Sequence, residues 1–182
     1  MRVVSGTARG RKLQAPPGSG TRPTSDRVRE AVFDMLTSMD VVEGATVLDL
    51  FAGSGALGIE CISRGAESAV LVDHHAAAVA TIRRNLDVLG EAAARATVVR
   101  SDALTYAASA PAFDLVLADP PYGFDRWAEL LESLLPRAGL LVVETGAEPG
   151  PSLWAPGPAW ETVKVKRYGG TVVCIVKPVG RT

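Results

Sequence analysis

Cysteine and histidine are scarce in this 182-residue chain, which has two of each. Cys61 and Cys174 lie far apart with no C-x-x-C spacing, so a disulfide framework and a thiolate metal site are excluded and reduced core thiols are expected. His74 and His75 are adjacent and expected to point apart as loop residues; no metal is expected. No apolar run is long enough to cross a bilayer, and Met1 to Leu13 breaks its apolar residues with arginines where a signal peptide needs a continuous core. A cytoplasmic protein without membrane contact is therefore expected, as a monomer by default. Internal repeats and low-complexity tracts are missing as well. What remains, with 47% hydrophobic residues, is enough for one globular domain with a sizeable core.

A net charge of −1 hides an asymmetry. Residues 1 to 29 carry Arg2, Arg9, Arg11, Lys12, Arg22, Arg27 and Arg29 against Asp26 alone, a balance of +6 that leaves −7 for the rest. A basic arm on an acidic body suggests phosphate contact at one face, while the body holds a ligand that is not itself polyanionic. Lys164, Lys166, Arg167, Lys177 and Arg181 form a second basic group, which serves a solvated hairpin face as readily as a nucleic-acid contact.

Along the chain the hydrophobic period switches in order. Arg2 to Ser5 and Lys12 to Ala15 are expected to form a short hairpin, joined by Pro16 to Gly20 to a helix from Ser25, with Val28, Val32, Met35, Leu36 and Met39 at helical spacing and Thr24 or Ser25 as cap. Strands follow at 46–50, 68–73, 96–100, 113–118 and 140–144, alternating with helices at 55–64, 76–89, after Asp102 and at 127–135. Ala147 to Pro158 reads as a loop, and 161–167 with 171–177 as an antiparallel pair around Tyr168-Gly169-Gly170. This alternation predicts an α/β fold on a mainly parallel sheet. The division expected is a basic arm, hairpin and linker over 1–20 and a single domain over 21–182.

Two motifs carry chemistry. Asp119-Pro120-Pro121-Tyr122 follows the buried run 113–118. Its prolines offer carbonyls on a stiff turn, the aspartate adds an anionic acceptor, and the tyrosine gives a face on which a planar base stacks. That set suits a base with an exocyclic amino group, whose two hydrogens need acceptors. In isolation it is equally a tight loop ending a strand. Upstream, Asp49-Leu50-Phe51-Ala52-Gly53-Ser54-Gly55-Ala56-Leu57-Gly58 contains G-x-G-x-x-G between a strand and a helix. Such a loop serves a pyrophosphate or a smaller carboxylate. Asp49 would repel a pyrophosphate but attract an ammonium. Asp73 ends the next strand, where an acid accepts from ribose hydroxyls. Asp102 stands after the third, where capping the next helix is at least as good an account.

Together these motifs resemble the amino-methyltransferases that use S-adenosyl-L-methionine and carry D/N-P-P-Y/F. Arg22-Pro23-Thr24-Ser25-Asp26-Arg27-Val28-Arg29-Glu30-Ala31, with Phe33 and Leu36, and the start Arg2-Val3-Val4-Ser5-Gly6 with Arg9-Gly10-Arg11-Lys12-Leu13, are similar to the RsmD family of bacterial small-subunit rRNA methyltransferases. The resemblance implies a Rossmann-like methyltransferase fold closed by a C-terminal antiparallel hairpin. It also implies S-adenosyl-L-methionine as cofactor and N2-methylguanine in 16S rRNA as product, with naked rRNA or the assembled small subunit as partner. It places Asp119, Pro120, Pro121 and Tyr122 at the reaction, and Asp49, Phe51, Gly53, Ser54, Gly55, Asp73, His74, Asp102 and Ala103 around the cofactor. Arg2, Arg9, Arg11, Lys12, Arg22, Thr24 and Arg27 are left to contact RNA. One departure is Asp73, where a longer glutamate is common. The rivals are an adenine-N6 methyltransferase, a nicotinamide-dependent oxidoreductase and a non-catalytic RNA-binding module.

Overall fold

The computed structural model describes residues 1–17, 26–121, 123–146 and 158–180. Arg22, Thr24 and Tyr122, with Ser25, Arg181 and most of the expected Pro- and Gly-rich loop, lie outside the described residues.

Five parallel strands, β1 (Thr46–Leu50), β2 (Ser68–Asp73), β3 (Ala96–Arg100), β4 (Phe113–Ala118) and β5 (Ala138–Thr145), are joined by the antiparallel pair β6 (Trp160–Tyr168) and β7 (Thr171–Pro178). The sheet order is β3-β2-β1-β4-β5-β7-β6. Both faces of the parallel part are covered, which is why those strands read as near-continuous apolar runs. Val47, Leu71, Leu115 and Val142 point to one side, and Leu48, Val72, Val116 and Leu141 to the other. The first side is layered by α1 (Asp26–Ser38), α2 (Ala56–Ser63) and α3 (Ala76–Leu86), the second by α4 (Ala103–Ser109) and α5 (Trp127–Leu134) with Trp160. The chain winds outward from β1 in one direction and from β4 in the other, so a switch point lies between these neighbours, where open sheets leave a crevice beyond the strand ends.

The first four expected strands have the boundaries found, while β5 and the terminal pair extend a residue or two further. The helix expected to reach residue 89 instead stops at Leu86. It tightens into a 3-10 stretch, Asp87–Arg95, in which Gly90 (φ 57°, ψ −130°) takes a conformation no α-helix continues through. At the far edge, β6 has a bulge between Thr162 and Lys164 and exposes most of its residues on both faces, Val163 and Val165 included.

The N-terminal segment differs from a regular hairpin. Its pairing reduces to one antiparallel bridge, Arg2 with Lys12, flanked by the Val3 and Gly10 N–H groups donating to Arg11 and Val3 carbonyls. Beyond Val3 the backbone turns its donors onto α2: Val4 and Ser5 N–H groups donate to the two carboxylate oxygens of Glu60 (2.7 and 2.9 Å), and Ala8 N–H donates to Ser63 Oγ (2.9 Å). Glu60 is fully buried and also accepts from Arg64 Nε (2.8 Å), so its charge is met by three donors. Gly6 (φ +80°) lies against Ser63 so closely that a Cβ there would fall 1.8 Å from the Ser63 carbonyl oxygen. Val3, Ala8 and Leu13 join the core on the α1–α2 side. Among the described residues no helix is long and apolar enough to cross a membrane.

Glu60→Ala leaves two arm N–H groups and the partly buried Arg64 guanidinium without their acceptor. We expect it to lower unfolding free energy by about 2–4 kcal/mol in urea denaturation. Trypsin should then cut after Arg9 and Arg11 faster than in the parent; unchanged stability and cleavage would show that the arm is held by other contacts.

Candidate active site

Parallel pairing of β1 with β4 sets Leu50 beside Ala118, so Phe51–Gly55 and the turn that opens with Asp119 and Pro120 leave the same rim as neighbours. Adjacent strands lie about 4.8 Å apart, which puts the two motifs side by side rather than merely in one domain. Their side chains meet: the Phe51 and Phe124 rings are 5.3 Å apart at 71°, and Phe124 continues to Trp127 at 4.9 Å and 89°. Edge-to-face contacts of this kind fix ring orientation as well as burying area.

The glycine loop is held by four backbone tethers. Ala52 N–H donates to the Val72 carbonyl (3.0 Å), Gly53 N–H to Asp73 Oδ2 (2.9 Å) and Gly58 N–H to Asp49 Oδ2 (2.9 Å), while the Ser54 carbonyl accepts from Asn85 Nδ2 (2.8 Å). Phe51 is held at φ 61°, a left-handed conformation rare for a bulky residue. Gly55, also left-handed at φ 78°, starts α2. Gly58 serves close approach: a Cβ there would meet Leu71 Cδ2 at 2.8 Å and Asp49 Oδ2 at 3.1 Å.

Asp73 is buried, with Oδ1 accepting from His75 N–H (2.8 Å) and Oδ2 from Gly53, so its carboxylate shapes the loop itself. Ser101 N–H donates to the Asp73 carbonyl, which brings the segment after β3 to the same rim. There Asp102 caps α4, its Oδ1 accepting from Thr105 N–H (3.0 Å), which holds its carboxyl below the usual range. Ala103 is buried behind it. His74 is exposed, with Nδ1 3.8 Å from Asp73 Oδ1. The expectation that His74 and His75 point apart is corrected: the rings lie 3.7 Å apart at 40°, because the turn into α3 puts neighbouring side chains on one side. Asp119 and Pro120 are half-buried; the Pro121 carbonyl accepts from Phe124 N–H (3.1 Å), so the second proline closes the turn instead of presenting its oxygen.

Arg2, Arg9, Arg11, Lys12 and Arg27 are exposed, with Arg2 Nη1 donating to the Gly10 carbonyl. They are not gathered at the rim. The arm runs along α2, its Gln14 end beside the glycine loop and its Thr7–Ala8 turn at Ser63. The eight residues of α2 separate those ends by about 12 Å. In the C-terminal basic group, Lys177 is 3.6 Å from Glu161 and so is partly neutralised.

Burial pushes the Asp49 carboxyl up to about 7, with the nearby Asp119 and Asp73 charges adding to the effect and the Gly58 N–H opposing it. A rim of mutually repelling acids favours a cation and disfavours a pyrophosphate. Phe124, Trp127, Asn85 and Glu60 are parts of this arrangement that sequence reasoning did not single out. The aromatic residues close after Asp119 were a usable signal for the first two; the others have no local motif.

The folded chain keeps the Asp49 proton to about pH 7, whereas an unperturbed aspartate gives it up near 3.8. The ligand-free protein therefore loses stability as pH rises between those values, by about 4 kcal/mol in all. Asp49→Asn should remove this decline when urea denaturation is followed across pH 4 to 8; a variant with the parent's slope would assign it to another group.

The family described as Conserved hypothetical protein 95 matches residues 1–177. YlbH of Bacillus subtilis is 38% identical over 191 residues, covering 99% of this chain and all of its own. The Ribosomal RNA small subunit methyltransferase D of Escherichia coli K12 is 38% identical over 165 residues, 85% of this chain and 81% of its own. A solved structure of the Escherichia coli protein yhhF superposes with a TM-score of 0.82 at 34% identity, covering 98% of this chain and 97% of that one. The chain thus belongs to the Conserved hypothetical protein 95 family, the RsmD family whose motifs it carries.

Proposed function

We propose that the protein transfers a methyl group from S-adenosyl-L-methionine to the exocyclic N2 of a guanine in 16S rRNA, acting in the cytoplasm as a monomer. The observation that carries this reading is the contact of Phe51 with Phe124, which joins the glycine loop to the Asp119 turn across the switch point of the sheet. The acidic rim fits the donor: a buried aspartate with a raised pKa, beside a loop whose peptide groups are already aimed, suits a ligand bearing an ammonium and a sulfonium. This disfavours the nicotinamide reading, for which Asp49 is a liability. When bound, the donor supplies an already activated methyl.

The residues of this chain then bind and orient. Gly53, Ser54 and Gly55 give close backbone approach, and Asp49 balances the ammonium. Asp73 and His74 lie toward the ribose, Asp102 and Ala103 toward adenine, and Phe51 walls the methyl from water. Asp119 and the Pro120 carbonyl accept from the two amino hydrogens. That would leave the N2 lone pair available toward the activated methyl that the bound donor would supply. Asp119 holds the proton that N2 must shed. Tyr122 stacks on the base, which has to be splayed out of any helix. Positioning of this kind supplies most of the acceleration. RNA phosphates follow the arm, residues 1–20, through Arg2, Arg9, Arg11 and Lys12, and continue to Arg22, Thr24 and Arg27.

Incubation with labelled donor and unmethylated small subunits, followed by nucleoside mass spectrometry, is expected to give N2-methylguanosine. N6-methyladenosine would instead support an adenine methyltransferase, and no incorporation a binding module. In the same assay Asp119→Ala should lower turnover by about two to three orders of magnitude, the usual loss for one preorganised polar contact, with donor affinity near the parent's. Unchanged turnover would take Asp119 out of the mechanism.

A further inference from the structure

Asn85, on the last turn of α3, is a polar side chain only 2% exposed. It belongs to neither motif, yet it touches both the arm and the glycine loop. Its Oδ1 accepts from Gln14 N–H (2.9 Å), and its Nδ2 donates to the Gln14 carbonyl (2.9 Å) and to the Ser54 carbonyl (2.8 Å). The amide orientation is dictated by these partners, since a backbone N–H only donates and the two carbonyls only accept. Both Nδ2 hydrogens and Oδ1 are engaged, so the side chain cannot turn without breaking three bonds at once. The peptide held at Ser54 is the one whose other end is Gly55 N–H, which donates to the Ala52 carbonyl and opens α2. A second link runs parallel: Ser54 Oγ lies 3.5 Å from Met1 Sδ, and Met1 is tied to the arm through its carbonyl, which accepts from Leu13 N–H.

We infer that Asn85 is a positioning residue that couples the arm to the donor loop, so that RNA engaged by the arm tightens the hold on the donor and the donor tightens the hold on RNA. The inference rests on the methyltransferase reading above. RNA drawn along Arg2 and Lys12 pulls on the two bridged segments that carry Met1 and Gln14. Any restriction of Gln14 restricts the Asn85 amide and, through it, the Ser54–Gly55 peptide. A first ligand that orders a shared element relieves the second of that cost, which is positive coupling without a change of shape. Linkage makes the effect equal in both directions. An order of assembly follows in which the ternary complex forms readily, while donor bound in the absence of RNA is held more weakly.

The test measures binding, not turnover. Affinity for unmethylated small subunits is determined with and without saturating S-adenosylhomocysteine, for the parent and for Asn85→Asp. That substitution preserves volume and the acceptor toward Gln14 N–H but sets an oxygen against both carbonyls. The parent is expected to bind subunits at least about five-fold tighter with the nucleoside present, the low end of usual couplings, and the variant to show a ratio near one while still binding each ligand. A residue that only supports the fold would lower both affinities and leave the ratio alone. A persistent ratio in the variant, or a ratio of one in the parent, overturns the coupling. Failure of the parent to bind subunits at all overturns the RNA reading as well. Should the variant not fold, amide exchange on the parent decides the matter: 16S rRNA is expected to slow exchange at Gln14 and at Gly55 together, and protection of Gln14 with no change at Gly55 refutes the proposal.

Discussion

The hydrogen bond from Gly58 N–H to the buried carboxylate of Asp49 is the constraint on which the other parts depend. It seats the first turn of α2 on β1 through the Asp49 side chain, and the lack of a Cβ at Gly58 makes room there for Leu71 and that carboxylate. From that seat the loop before α2 is forced through its left-handed residues, and the helix direction carries Glu60 and Ser63 to where the N-terminal segment docks. Shift α2, and both the glycine loop and the arm lose their supports. The same bond keeps a carboxyl group in a place where burial opposes its ionisation.

Charge is sorted in this molecule by depth as well as by face. At the rim Asp49 and Asp73 are buried and Asp119 is half-buried, near enough for their charges to interact, whereas the arm's arginines stand in solvent along α2. A small cationic ligand and a large polyanionic one therefore meet different surfaces, and neither has to displace the other. The peptide groups between these surfaces are fixed by Asp73, Asp49 and Asn85, so that little reorganisation remains when a ligand enters.

The sheet was legible in the sequence because its parallel strands are short apolar runs, most of them with an aspartate at or near the carboxyl end. The two motifs could be placed on one rim because each lies at or just past the carboxyl end of a predicted strand in a parallel sheet. Their contact through Phe51 and Phe124 was not legible, since it depends on β1 and β4 being neighbours, a fact no local pattern encodes. The basic segment was visible as charge but not as structure: alternation suggested a ladder, yet Val4 and Ser5 give their donors to a carboxylate 55 or more residues away. Asn85 lies in an ordinary amphipathic stretch, and only its three hydrogen bonds, to Gln14 and Ser54, distinguish it. The early end of α3 was not legible, because Val88 and Leu89 keep an apolar pattern while the backbone has already tightened into the 3-10 stretch ahead of Gly90.

The edge strand β6 has a consequence for how copies of this chain treat one another. An open strand edge is a template for self-association, and among the described residues β6 presents one at an end of the seven-stranded sheet. Lys164, Lys166 and Arg167 line that strand, and the bulge beside Thr162 bends its hydrogen-bonding edge out of register. Two such edges repel before they can zip, which guards a valine-rich hairpin against fibrous aggregation at high concentration.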